Sequence, residues 1–130
     1  MPNVTDADQS AMLRELLAKL EEFVRERDWE QFHTPKNLAV SISIEAAELL
    51  EHFQWVVEGS PESANGYPLE AIAEEAADVY LYLLLFCKGL GIDLNSAALE
   101  KLRKNADRYP VRESYGKSTK YTKFPTDGAM

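Results

Sequence analysis

Apolar residues in this chain recur at steps of three and four, over stretches long enough for helices. Leu13, Leu16, Leu17, Leu20, Phe23 and Val24 form one stripe. They predict a first helix from about Asp8 to Asp28, with Thr5 as its cap. The period breaks from Trp29 to Thr34. Thr34-Pro35 then joins a hydroxyl cap to a proline at the first helical position, and the second helix it opens is expected to run to about Glu58 and stop at Gly59. The linker GSPESANGYP is turn-rich. A third helix begins near Pro68 or Leu69 and ends around Lys88, where Gly89 and Gly91 interrupt it. Asp93 caps a fourth helix, which ends before Pro110. Beyond Val111 the tail mixes Lys, Tyr, Ser, Thr and Gly with little period, and no segment alternates as a strand would. The expectation is an all-α, four-helix chain.

Acids interrupt the apolar stripes of the second and third helices. Leu38, Ile42, Leu49 and Phe53 share their line with Glu45, and Glu48 falls on the adjoining line with Ser41, His52 and Trp55. On the third helix Glu75 stands in the line of Ile72, Val79, Tyr82 and Phe86, with Asp78 beside it. Residues three apart share a helical face, and a short linker makes these two helices antiparallel neighbours. From Asn37 to Cys87 there is no Lys or Arg but there are nine carboxylates. Like charges on packed faces need compensation, and a bound cation is the cheapest form of it. Oxygen-only donors suit Mg2+ or Mn2+ and disfavour structural zinc. A di-iron bundle would need two Glu-x-x-His motifs, and Glu30-Gln-Phe-His33 supplies the spacing once, outside the helical lines.

Composition narrows the class further. The 130 residues suit one domain, and a net charge of -8 argues against a nucleic-acid polymer as partner. The lone Cys87 sits in an apolar run, MPNVTDADQS has no signal-peptide pattern, and the longest uncharged run is too short for a membrane. A cytoplasmic protein is expected.

Three blocks of this sequence resemble the all-helical nucleoside triphosphate pyrophosphohydrolases, the MazG-like group, and within it the single-domain dCTP pyrophosphatase branch. Residues 27 to 55, RDWEQFHTPKNLAVSISIEAAELLEHFQW, are similar to that branch's lead-in and Phe-Gln-Trp ending. EEAADVYLYLL and KLRKNADRYP are similar to its two later blocks. The resemblance covers about residues 10 to 112 and implies assembly as a homodimer or as a dimer of dimers; a helical domain is expected over residues 1–112 and, from its composition, a polar, flexible tail over 113–130. It implies Mg2+-dependent hydrolysis of a nucleoside triphosphate to the monophosphate and pyrophosphate, with dCTP or a modified dCTP as substrate. Glu45, Glu48, Glu75 and Asp78 match the family's Glu-x-x-Glu and Glu-x-x-Asp ligands. Glu74 fits a family glutamate that assists as a base, or else it is a solvated surface acid. The resemblance places Lys101 and Asn105 at phosphate and sugar contacts, and Tyr109 shares their face. Trp29 and Trp55 match aromatic positions of the nucleotide pocket. Tyr82, one turn after Asp78, suits the sugar, and His33 either bonds the substrate or caps the loop before Pro35. His52 reads as a surface residue. Ile44 stands where some relatives, notably dUTP-directed ones, carry an additional acid. A pyrophosphohydrolase of another nucleotide, dUTP or phosphoribosyl-ATP, and a non-catalytic helical oligomerisation or regulatory module are the rival readings.

Overall fold

The computed structural model describes residues 5–59 and 66–126. Its helices are α1 (Asp6–Glu26), α2 (Pro35–Glu51), α3 (Leu69–Leu90), α4 (Leu94–Arg108) and the short α5 (Val111–Ser114). Single 3-10 turns occupy Glu30–Phe32 and Tyr121–Lys123. Among the described residues there is no strand, so the helical period along the sequence is what the chain realises. The chain divides into two compact units, Met1–Gly91 and Ile92–Met130. Residues 60–65, most of the expected linker, lie outside the described residues.

The expected caps form. The Thr5 hydroxyl accepts from Asp8 N at 3.2 Å while Thr5 N donates to Asp8 Oδ2 at 3.1 Å, a reciprocal capping box. The Thr34 hydroxyl accepts from Asn37 N at 3.2 Å, and Asp93 accepts from Ser96 N at 3.1 Å. Gly89 does not interrupt α3, which continues to Leu90 and stops at Gly91 in the left-handed conformation (φ 68°).

Two helix ends depart from expectation. α1 stops at Glu26, two residues early, because Asp28 takes a left-handed conformation (φ 52°). α2 ends at Glu51 and not near Glu58. From there Phe53 N bonds Leu50 O, Gln54 N bonds Glu51 O and Val56 N bonds Phe53 O, so the ladder tightens to a three-residue step. The turn is held by side chains beyond it. Phe53 packs on Tyr67 with ring centroids 5.1 Å apart, and the Tyr67 hydroxyl donates to Glu58 Oε1 at 2.6 Å.

In the first unit, Leu20 and Val24 of α1 meet Leu84 of α3, flanked by Leu13, Leu16, Leu17, Leu81 and Leu85. α2 packs along α3, and its Leu38 is 2% exposed. In the second unit the tail is organised by aromatic contact. The Tyr109 ring meets Tyr121 and Phe124 edge-on at 5.6 and 5.9 Å, and the Arg108 guanidinium lies 5.2 Å over Tyr121.

Leu38→Ala should therefore cost about 3 kcal/mol of unfolding free energy, as a buried leucine lost to a cavity does. Thr34→Ala should cost about 1 kcal/mol, the usual value of an N-cap. Urea denaturation of the two variants beside the parent checks the ranking, and equal losses would contradict this account of the α2 anchor.

Candidate metal centre

Because α2 and α3 pack along each other, their acidic lines converge. Glu45, Glu48 and Glu75 each place one carboxylate oxygen within 4.8 Å of the other two. All three side chains are half-buried. Asp78, one turn after Glu75, does not bring an oxygen into that trio; its side chain is a methylene shorter than glutamate and its residue is exposed. Its charge is nonetheless felt at both Glu45 and Glu75.

The electrostatics are those of an uncompensated cluster. Burial pushes the Glu45 carboxyl from its ordinary 4.5 up to about 7, helped by the hydrogen bond and charge of Glu48 and by the charges of Asp78 and Glu75. Glu75 is raised by burial first, then by Glu48 and Asp78, and is lowered by His52. His52 Nε2 stands 3.9 Å from Glu75 Oε1, with both side chains about a quarter exposed. The expectation that His52 is a surface residue is corrected by this contact. Its place on the line of Glu45 and Glu48 was the available signal.

A divalent cation fits these residues. Glu45 Oε2 and Glu75 Oε2 are hidden from water and have no hydrogen-bond partner. Hidden carboxylate oxygens without donors are costly unless a cation faces them. Three hard oxygen donors suit Mg2+ or Mn2+ and leave coordination positions for water or phosphate.

Glu45 and Asp78 also line a cavity of about 490 Å³, a volume suited to a small-molecule ligand. Leu16, Leu20, Leu81 and Leu85 form its apolar wall. Trp29, His33 and Tyr82 line it too, so three of the four residues expected at a base or sugar are brought together with the acids. The fourth, Trp55, does not line it and is 85% exposed on the turn after α2. Lys19 and Phe23 of α1 line the cavity and were not anticipated; their positions in the first stripe and beside it gave no chemical signal. Glu74 is exposed. In the second unit Lys101 is exposed, Asn105 is half-buried one turn later on α4, and Tyr109 follows at the helix end against Tyr121 and Phe124.

Comparison with known proteins bears on the same residues. The family model described as MazG-like matches residues 40–124, which include all four acids. Proteins named dCTP pyrophosphatase 1 from Rattus norvegicus and Homo sapiens are each 42% identical to this chain over 106 residues. The match covers 80% of this chain and 62% of each relative, so the chain spans less than two thirds of those proteins. The crystal structure of a pyrophosphatase from Archaeoglobus fulgidus superposes with a TM-score of 0.70 at 45% identity, covering 76% of this chain and 93% of that one. Among the described residues no helix is long and apolar enough to cross a membrane.

The raised Glu45 value fixes a pH dependence of the metal-free chain. Between about 4.5 and 7 the folded state holds a proton at Glu45 that the unfolded chain has lost. Stability from this group therefore falls as pH rises through that window, and the loss is complete above it. Thermal melts in chelator should show this decline, and Glu45→Gln should flatten it. A parent and variant with identical pH profiles would remove Glu45 from the account.

Proposed function

The chain belongs to the MazG-like family, and from that premise we propose that it hydrolyses a deoxynucleoside triphosphate between its α and β phosphates, releasing the monophosphate and pyrophosphate. The observation that carries this reading is the pairing of orphaned glutamate oxygens with an aromatic-lined cavity that two of the acids border. dCTP or a base-modified dCTP is the substrate the similarity to dCTP pyrophosphatase 1 supports. The role is the removal of such nucleotides from the cytoplasmic precursor pool.

In this reading Glu45, Glu48 and Glu75 hold Mg2+, with Mn2+ as a substitute, and Asp78 completes the acidic wall from the cavity side. The bound ion neutralises polyphosphate charge and makes water easier to deprotonate. Trp29 stacks on the base, since aromatic faces grip any base and hydrogen bonds choose among them. His33 offers such a hydrogen bond, and Tyr82 meets the sugar beside Asp78. Leu16, Leu20, Leu81 and Leu85 keep bulk water from the base. Glu74 assists as a base or an acceptor. On the second unit, the family resemblance supports phosphate and sugar contacts for Lys101 and Asn105, with Tyr109 following on their face.

Assembly as a homodimer or homotetramer, with the active site at the subunit boundary, belongs to the same proposal. Val40, Ile44, Leu50 and Trp55 of the first unit are each about half or more exposed, an apolar surface that a second copy would cover. Light scattering should give at least twice the 14.7 kDa chain mass, and a mass of one chain contradicts the assembly.

Incubation with Mg2+ and separate dCTP, 5-methyl-dCTP, dUTP, dTTP and dATP tests the reaction. Pyrophosphate should appear, with the cytosine nucleotides preferred in kcat/KM. Glu45→Gln, Glu48→Gln, Glu75→Gln and Asp78→Asn should each lower turnover by roughly a hundredfold or more, the scale of losing transition-state charge stabilisation. Release of orthophosphate, or near-normal turnover in two of the four variants, would contradict the reaction. A tenfold preference for dUTP or a purine nucleotide would overturn the substrate alone.

A further inference from the structure

Asp28 is the one non-glycine residue with a positive φ among the described residues. It closes α1 with the paired bonds of a Schellman stop: Asp28 N donates to Arg25 O and Trp29 N donates to Val24 O, each at 3.0 Å. This left-handed stop normally takes glycine. Here Gln31 Nε2 secures it, donating to Asp28 O at 3.0 Å and to Asp28 Oδ2 at 2.9 Å.

The stop decides where the next side chain goes. Were α1 to continue, residue 29 would extend the line of Glu22 and Arg25, which are exposed. The cavity is bordered instead by the line of Leu16, Leu20, Phe23 and Val24. Reversal at Asp28 brings Trp29 to that side, where its ring meets Phe23 nearly perpendicular at 5.7 Å. Arg27 braces Phe23, with its guanidinium 3.7 Å over the ring and Nη1 donating to Phe23 O at 2.9 Å.

We propose that Asp28 is a positioning residue for nucleotide binding: its left-handed backbone, fixed by Gln31, sets the Trp29 ring on the cavity wall as a preformed stacking platform. This rests on the nucleotide reading above, in that the ligand stacked there is a base. Asp28 does not line the cavity, so it acts through Trp29 on binding and not on the chemical step.

The test compares Asp28→Asn, Asp28→Val and the double variant Asp28→Gly/Gln31→Ala. Asn tolerates the left-handed region and keeps an acceptor, Val strains it strongly, and the double variant frees the backbone while removing the clamp. Acrylamide quenching of Trp29, read in a Trp55→Phe background without nucleotide, reports the platform directly. Kinetics in the natural background report its use. Val should raise KM about tenfold, the scale of left-handed backbone strain, with kcat within about twofold. The double variant should melt close to the parent, since glycine takes the left-handed region without strain, and should raise KM about threefold; Asn should match the parent. Quenching should increase in the same order. Unchanged quenching and KM in the double variant, or a fall in kcat at constant KM, would overturn the proposal. If the parent turns over no nucleotide, the quenching series still decides the clamp, and only the nucleotide reading fails.

Discussion

Two helices cannot pack acid against acid without something positive between them, and the first unit is organised around that constraint. α2 and α3 bring Glu45, Glu48 and Glu75 within 4.8 Å of one another in half-buried positions. Among the described residues, His52 at 3.9 Å from Glu75 is the basic side chain in ion-pair range of the trio, and it reaches one member. The Glu45 carboxyl, raised to about 7, registers what remains unbalanced. A stability-optimised helix pair would carry apolar residues there, so the repulsion is a cost retained for what the cluster can bind.

That constraint also links the metal centre to the cavity. Glu45 and Asp78 serve as one wall of a space whose other walls are apolar and aromatic. The proposed substrate, a nucleoside triphosphate, is charged at one end and carries a flat base at the other, and the two kinds of wall would suit those two ends. In the proposed reading the reaction and the substrate class thus draw on separate parts of the site. In that reading the acids serve hydrolysis of any nucleoside triphosphate, Trp29 grips a base of any identity, and His33 is the group that would choose among bases.

Much of this was legible in the chain. Acids at three-residue spacing in apolar stripes, with no Lys or Arg from 37 to 87, mark Glu45, Glu48, Glu75 and Asp78 in the sequence itself. The caps Thr5, Thr34 and Asp93 were legible because each acts within three residues of itself. What escaped depends on distances between elements or on uncommon backbone. Asp78 lies outside the trio and lines the cavity beside Glu45, an arrangement between elements that spacing does not encode. Apolar period continues through Trp55, Val56 and Val57, so the early end of α2, set by Phe53 on Tyr67, was hidden, as was the exposure of Trp55. The stop at Asp28 used an aspartate where the familiar signal is glycine. Tyr121 and Phe124 looked like scattered tail aromatics because their partner, Tyr109, lies twelve or more residues earlier.

Calorimetric titration of the metal-free chain with Mn2+ near pH 7, repeated in buffers of different ionisation enthalpy, tests the central claim most directly. The account predicts binding accompanied by proton release, because the ion must displace the proton that Glu45 holds near neutral pH. Glu45→Gln should weaken the binding and abolish that release. Binding that releases no proton and is indifferent to Glu45, or no binding at all, would contradict the claim that this acidic trio is a metal site.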